Sequence, residues 1–543
     1  MQSRSRLIEN TWQRFFIAMC CLSIISLATN FQLHGGILYD PFHHGEYFAA
    51  TSSLMADQPG FHPLTIHGAL DFIPSLIAQT FFGRETYFFP TWFIYQLLSF
   101  FAGIIFLAII FEITKKIKNN SVILFASALL APSLVGYKDA ALLISIYLYL
   151  LIQHKNLPRI NVLLEVCFGF VVALGLFWSF DRGIAGVASL GVACIIHAYK
   201  NRLYLLSLGI FVLSVILLAS ISHQFSLENY WDNMKILIDT SSQWSYGWKT
   251  NTIILTAFLG FSNVIANWLL ISLNINSKFS IINLPNSIFL IILSIFLFKI
   301  GSNRADVHHV VTGLWGPLLA GLYWYSAESR SGMDLSQKIV LSMFLMFTVI
   351  VGWKFGVIPL IPIAALIAVG IVKTIHSSDS SLMANKVIAT TLLVPLFTAF
   401  YSISGGMSSG GYKWIGYFMS KPSNTEMATD GVRWASQELL NSGSRCVFDL
   451  SNNGVINGLT SLPSCSRFVY PVYANQHYEE EIIDSLKTKQ PRAIVYSSTY
   501  WSYSIDGRSM PARLPTLDKF LLREYSNEKC SFGYCVRYLT GGK

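Results

Sequence analysis

Long apolar runs separated by short polar links make up most of the chain as far as Tyr401. The first run, Phe15 to about Leu33, is long enough to cross a hydrocarbon core about 30 Å thick. Lys and Arg concentrate in alternate links, for example at Lys115 and Lys155, and this bias is typical of cytoplasmic loops. The pattern predicts a polytopic α-helical membrane protein with about thirteen transmembrane helices, a cytoplasmic N-terminus and an extracytoplasmic C-terminus.

Residues 34–90 form the first predicted outer loop. Within this loop, Leu64 to Phe82 is apolar but is interrupted by Asp71 and Pro74. The interruption favours a short amphipathic or re-entrant helix lying at the membrane interface over a full crossing. A later outer loop of about thirty residues, 223–250, is rich in tryptophan, as is typical of residues at a membrane surface.

Residues 402–543 are polar and contain no apolar run of span length. The predicted elements of this tail are the strands Cys446–Leu450 and Ala493–Ser498 and the helices Gln476–Leu486 and Leu517–Tyr525. Because strands alternate with helices, we expect a small extracytoplasmic α/β domain at 402–543, which follows a transmembrane domain at 1–401.

Composition agrees with a membrane protein. The chain has 543 residues, of which 53% are hydrophobic and only 12% are charged, whereas soluble domains carry about a quarter charged residues. The net charge of +9 comes largely from Lys and Arg in short links, so it indicates membrane topology and not nucleic-acid binding. No P-loop or dinucleotide-binding glycine motif is present, and neither ATP use nor a Rossmann cofactor is indicated.

Four of the eight cysteines, Cys446, Cys465, Cys530 and Cys535, lie in the tail. An even set confined to one soluble domain favours disulfides in an oxidising compartment. Proximity along the chain favours Cys446–Cys465 and Cys530–Cys535, although the sequence permits three connectivities. A zinc site is the alternative, but the set contains no Cys-x-x-Cys pair.

Charged clusters recur wherever the predicted spans return to the outer face. They are Lys138-Asp139, Asp181-Arg182, the group Arg304, Asp306, His308 and His309, and the stretch from Asp40 to Glu46 that directly follows the first apolar run. Charge inside hydrocarbon is expensive, so each cluster needs partners or water. Our hypothesis is that the clusters meet at this face and form an active site.

The first-loop cluster combines the carboxylates Asp40 and Glu46 with the imidazoles of His43 and His44. Either carboxylate is suited to act as the catalytic general base for an acceptor hydroxyl. The two histidines are suited to bind substrate by hydrogen bonds. The four side chains are also ligands that a divalent cation such as Mg²⁺ or Mn²⁺ accepts. In the remaining alternative, the histidines only cap a helix at the interface.

Arg182, Arg304 and Lys138 are the cationic partners in this hypothesis. Arg suits bidentate recognition of a phosphate, and Lys contacts it as a point charge. The predicted substrate-binding residues are His43, His44, Lys138, Asp139, Asp181, Arg182, Arg304, Asp306 and His308. In the alternative interpretation, these charges are solvated or paired for structural reasons.

The layout of a first span, an acidic outer loop, a many-span body and an outer C-terminal domain resembles the GT-C class of integral-membrane glycosyltransferases. Lipid A aminoarabinose transferases and protein O-mannosyltransferases belong to this class. The local motif that carries the resemblance is Asp40 to Glu46, and the Arg304-x-Asp306 and Asp449–Asn453 segments are similar to features of bacterial members.

The resemblance implies transfer of a sugar from a polyprenyl-phosphate donor to a cell-envelope glycan, lipid or protein at the outer face of a bacterial inner membrane. By the same resemblance, Asp40 or Glu46 is the catalytic carboxylate. Two histidines stand between them here, whereas many members have the acidic pair closer together.

Two other functions are compatible with a multispan chain. An O-antigen polymerase or ligase also has many spans and outer arginines, but its large loop usually lies between spans. A transporter needs polar residues or broken helices near mid-span, whereas the charges here gather at one face. A purely structural membrane protein would not need the His, Asp and Glu cluster.

Overall fold

The computed structural model describes residues 2–29, 41–56, 64, 67–115, 121–154, 158–198, 203–220, 227–244, 284–303, 312–313, 315–328, 413–497, 504–505 and 508–540. The predictions for Asp40, Arg304, Asp306, His308 and His309 concern residues outside these ranges. The chain forms two compact units. We call Met1–Gln32, Gln96–Val215 and Tyr246–Gly411 the helical unit, and Leu33–Tyr95, Ile216–Ser245 and Tyr412–Lys543 the mixed unit.

Helices predominate among the described residues as far as 328. They are α1 (Gln2–Thr29), α2 (Pro41–Met55), α3 (Ile73–Phe82), α4 (Phe88–Thr114), α5 (Ser121–Leu134), α6 (Ala140–His154), α7 (Pro158–Trp178), α8 (Phe180–Ala198), α9 (Leu203–Ser220), α10 (Leu227–Trp244), α11 (Leu284–Asn303) and α12 (Trp315–Glu328). A 3₁₀ turn, Tyr137–Asp139, leads into α6.

Packing in the helical unit joins α1 to α5, α6 to α7 and α8, α7 to α8, and α11 to α8 and α12. The buried core of the unit is almost entirely aliphatic and aromatic, with alanines at several helix contacts. Small residues let helices approach closely: a Cβ on Gly103 of α4 would lie 3.4 Å from the Leu22 side chain of α1.

Two helices among the described residues are long and apolar enough to cross a membrane, judged by length and composition. They are Phe88–Thr114 and Asn161–Trp178. Four shorter apolar helices, Trp12–Ile24, Ile73–Phe82, Tyr204–Ser220 and Pro285–Gly301, fall below that length. The count of about thirteen spans and the orientation of the termini stay predictions.

The mixed unit contains the remaining elements. They are α13 (Lys413–Ser420), α14 (Asn424–Met427), α15 (Asp430–Asn441), α16 (Val455–Thr460), α17 (Glu479–Lys489), α18 (Met510–Arg513), α19 (Pro515–Glu524), β1 (Ala493–Ser497), β2 (Ser504–Ile505), β3 (Arg508–Ser509), β4 (Asn527–Ser531) and β5 (Tyr534–Tyr538). The main sheet is antiparallel with the order β1-β5-β4. In its register, Val495 of β1 pairs with Val536 of β5.

Three predicted tail elements are confirmed within a few residues. The predicted helix Gln476–Leu486 is a 3₁₀ turn followed by α17, and the later strand and helix are β1 and α19. The predicted strand Cys446–Leu450 is wrong as a regular strand, because it forms only isolated bridges, Val447 to Ser464 and Asp449 to Val495. The Asp449 side chain bonds to backbone N–H groups that follow it, and such local bonds compete with a strand ladder.

The β4–β5 hairpin was not predicted. Its two-residue turn has positive φ at both positions, 49° at Phe532 and 79° at Gly533. Such turns favour Asn-Gly or Asp-Gly, so Phe-Gly gave no turn signal.

The loop predicted at 223–250 is helical over Leu227–Trp244, which corrects the sequence-based expectation. This helix, α10, buries Met234, Ile236 and Leu237 and exposes Trp231 and Ile238 on its other side. The sequence signal for this helix is the spacing of Met234, Ile236 and Leu237, which places them on one helical face, and the tryptophan content does not report that spacing. The expected helix within Leu64–Phe82 exists as α3, which begins only at Ile73 with Pro74 in its first turn.

Both predicted disulfides are confirmed. Cys446 bonds Cys465 and Cys530 bonds Cys535, with Cα–Cα distances of 5.0 Å and 4.0 Å. The second bond joins cross-strand partners of the β4–β5 hairpin. The remaining four cysteines, Cys20, Cys21, Cys167 and Cys194, are free.

Candidate functional site

Glu46 lies on α2, which begins at Pro41, a residue whose fixed φ suits the first position of a helix. Its Oε2 atom is 2.9 Å from Nε2 of His67. The Glu46 side chain is 9% exposed and that of His67 is 20% exposed, so the pair is largely shielded but still reaches solvent.

Tyr473 makes a second contact with the same carboxylate. Its hydroxyl donates to Oε1 of Glu46 at 3.4 Å. The carboxylate is therefore held from both oxygens, by His67 of the first loop and by a tail residue. Sequence analysis missed both partners, because neither lies in a charged cluster and they are far apart along the chain.

Aromatic rings surround the α2 segment. Tyr47 stacks on Tyr95 with centroids 4.1 Å apart, and Phe42 packs against Tyr470 at 4.9 Å. The Tyr95 hydroxyl donates to the backbone carbonyl of Asp71. The two ring contacts hold α2 on either side of Glu46 along the helix.

His43 and His44 are half-buried on α2. The His43 ring meets Phe42 edge-on at 5.0 Å. Their predicted roles in binding substrate stay predictions.

The described residues contain one group of three side chains whose metal-ligating atoms lie within 4.8 Å of one another, namely Glu528, Cys530 and Cys535. Both cysteines are joined in a disulfide, so no thiolate is available to a metal there. Asp40, one of the four predicted ligands in the first loop, lies outside the described ranges. A divalent cation in the first loop therefore stays a prediction.

In the helical unit, two of the predicted outer pairs come together. Nε of Arg182 donates to Oδ1 of Asp139 at 3.1 Å, and its NH1 group also pairs with Asp181. The side chains of Asp139 and Arg182 are 4% and 11% exposed, whereas that of Asp181 is 38% exposed. We call these three residues the ion cluster.

The ion cluster is built by two tight turns. Asp139 ends the 3₁₀ turn and accepts from the N–H of Gly136 at 3.0 Å. Asp181 accepts from the Ser179 hydroxyl and from the N–H of Arg182, both at 2.8 Å, at the start of α8.

Gly183 permits the sharp bend between α7 and α8. A Cβ on this residue would lie 2.7 Å from the carbonyl oxygen of Gly175. The indole N–H of Trp178 donates to the carbonyl of Tyr137 at 2.9 Å and so ties the two turns together.

Lys138 lies beside the ion cluster, with its Nζ atom 5.8 Å from the centroid of the Tyr137 ring. The formal charges of Lys138 and the three residues of the ion cluster sum to zero. Phosphate binding by Arg182 or Lys138 stays a prediction. Glu46 and the ion cluster belong to different units.

The Asp449–Asn453 segment forms a buried loop in the mixed unit. The Asp449 carboxylate accepts from the N–H and hydroxyl of Ser451 at 2.8 Å and 2.5 Å and from the N–H of Asn453 at 2.5 Å. Burial raises the pKa of Asp449 to about 6, against the opposing effect of these donors.

Comparison with known proteins gives similarity at the level of structure. No known protein family matches the chain, and a search of curated proteins finds no match. A crystal structure of ArnT from Cupriavidus metallidurans bound to undecaprenyl phosphate is similar over 97% of each chain, with 12% identity and a TM-score of 0.47. The apo state of ArnT is similar over 98% of each chain, with 11% identity and a TM-score of 0.47. ArnT is a lipid A aminoarabinose transferase.

Proposed function

We propose that the chain is a GT-C-type glycosyltransferase that moves a sugar from a polyprenyl-phosphate donor to a cell-envelope glycan, lipid or protein. The observation that carries the proposal is the Glu46 carboxylate, which is shielded, bonded to His67 at 2.9 Å and located on the helix that follows the first apolar segment. The proposal includes about thirteen spans, a cytoplasmic N-terminus and a tail outside the inner membrane.

Glu46 is the residue best suited to be the general base. Transfer from a lipid phosphate carrier requires removal of a proton from the acceptor hydroxyl as the sugar–phosphate bond breaks. The contacts from His67 and Tyr473 fix the direction of the carboxylate, and a fixed base close to its acceptor lowers the barrier to reaction. Asp40 is the second carboxylate in the proposal.

The departing phosphate needs cationic partners. The proposal assigns this role to Arg182, Arg304 and Lys138, which the sequence predicts at the outer ends of spans. Arg182 already pairs with Asp139 and Asp181. A donor phosphate on Arg182 must therefore share the guanidinium with these carboxylates.

The donor class is testable with purified protein in detergent. The experiment offers sugars labelled on polyprenyl phosphate, and the same sugars on a nucleotide carrier, together with an envelope extract as acceptor. We expect label to enter the extract from the lipid donor alone, with release of polyprenyl phosphate. Transfer from the nucleotide donor instead would contradict the proposal.

A further inference from the structure

Residues of the tail contact the first turn of α2, one turn before Glu46. The Tyr470 hydroxyl donates to the carbonyl oxygen of Phe42 at 2.6 Å and accepts from the N–H of Gly454 at 3.1 Å. Phe42 stands four residues before Glu46, which is one helical turn. Tyr470 therefore links the turn below Glu46 to the start of α16.

The two backbones touch beside this link. A Cβ on Gly45 would lie 2.6 Å from the N atom of Gly454 and 2.7 Å from the Tyr470 hydroxyl oxygen. Among residues other than proline, glycine is the least favourable in a helix interior. The close approach explains its presence directly before Glu46, since any side chain would push α2 off the tail.

The loop on the tail side is held by its own bonds. Asp449 accepts three hydrogen bonds from Ser451 and Asn453, and Asn452 adopts a left-handed conformation with φ of 54°. The Oδ1 atom of Asn452 accepts from the N–H of Val472 at 3.0 Å. Hydrogen bonds thus connect the loop that begins at Asp449 to the Tyr470–Val472 segment, which contacts α2.

We propose that Tyr470 is a positioning residue for Glu46, so that the C-terminal segment is a working part of the catalytic site. The inference rests on the proposed function, in which Glu46 is the base. Tyr470 acts through the α2 backbone, whereas Tyr473 contacts the carboxylate itself. Without the hydrogen bonds of the Tyr470 hydroxyl, α2 can shift, and Glu46 then leaves the geometry that proton transfer requires.

The test compares Tyr470→Phe with wild type in steady-state transfer from the lipid donor. The variant keeps the ring that packs on Phe42 and loses only the hydroxyl. We expect kcat to fall about tenfold, as for the loss of one or two hydrogen bonds, with KM for the donor nearly unchanged. The matched control is Tyr538→Phe, whose hydroxyl donates to Glu438 at 2.5 Å, and it should keep the wild-type rate.

A double-mutant cycle separates positioning from general stability. Loss of a general base costs about 10²–10⁴-fold, which leaves a residual rate that is measurable over long incubations. In the Glu46→Gln background, Tyr470→Phe should cause no further loss, because no base is left to position. An equal loss in both backgrounds, or a Tyr470→Phe rate equal to that of Tyr538→Phe, would overturn the inference.

Gly45→Ala gives a second measurement if Tyr470→Phe folds poorly. Its Cβ would lie 2.7 Å from the Tyr470 hydroxyl and would displace α2 from that contact, and the resulting loss of kcat should likewise vanish in the Glu46→Gln background. Persistence of that loss overturns the inference. Failure of the proposed function has a different signature, since Glu46→Gln alone would then keep the wild-type rate.

Discussion

The buried carboxyl group of Asp449 accepts the hydrogen bonds that organise its loop. Three donors favour its charged form, but removal from water outweighs them, and burial raises its pKa from the ordinary 3.8 to about 6. The folded protein therefore binds this proton more tightly than the unfolded chain does. Its contribution to stability is fully present below pH 3.8 and is lost as the pH rises through about 6.

Asp449→Asn should remove this pH dependence. A shift of about two pH units corresponds to roughly 3 kcal/mol, so wild type should gain stability relative to the variant as the pH falls from 7 to 4. Glu438 and Glu528 have lowered pKa values, through bonds from Lys529 and Tyr496 respectively, and act in the opposite direction in both proteins. The measurement is the difference in Tm between the two proteins across that range, and a constant difference would contradict the assignment.

Single residues were predictable from the sequence where charge is scarce. Glu46, Asp139 and Arg182 stand out as charges that follow apolar runs, and each of them forms an ion pair in the structure. His67 and Tyr473 gave no such signal, because a histidine or tyrosine in a loop is common. Their contacts with Glu46 depend on long-range folding that no local pattern encodes.

At the scale of elements, the ion cluster joins the turn before α6 to the start of α8. Removing one carboxylate leaves the shielded Arg182 charge with a single partner, and the cost is larger when the lost contact is buried than when it is exposed. Asp139 is 4% exposed and Asp181 is 38% exposed, so the two aspartates on one arginine form a natural comparison.

Asp139→Asn should lower the free energy of unfolding by about 3 kcal/mol, whereas Asp181→Asn should lower it by roughly 1 kcal/mol or less. Denaturant titration of the purified protein in detergent measures both changes. Equal losses would mean that burial does not distinguish the two contacts.

The sequence predicted the boundaries of helices and strands well where a charged link or an apolar run marks them. The α4 helix ends at Thr114, just before the predicted basic link at Lys115, and β1 matches its apolar run. The β4–β5 hairpin was missed because Phe532 occupies a turn position that usually takes Asn or Asp. The Cys446–Leu450 strand failed because Asp449 competes for its backbone partners.

At the scale of the whole molecule, the predicted membrane orientation depends on the distribution of Lys and Arg and on the tail disulfides. A C-terminal alkaline phosphatase fusion should be active, since that enzyme requires an oxidising compartment. Thiol labelling of denatured, unreduced protein should modify only Cys20, Cys21, Cys167 and Cys194. An inactive fusion together with labelling of all eight cysteines would reverse the orientation.

The central claim is that Glu46 removes the acceptor proton in transfer from a polyprenyl-phosphate sugar. The most direct measurement is the transfer rate of purified Glu46→Gln beside that of Glu480→Gln, which alters an exposed glutamate on α17. We predict a loss of about 10²–10⁴-fold for Glu46→Gln and the wild-type rate for Glu480→Gln, both measured at a temperature below the Tm of each variant. A wild-type rate for Glu46→Gln would contradict the account and leave the α2 cluster with a structural role.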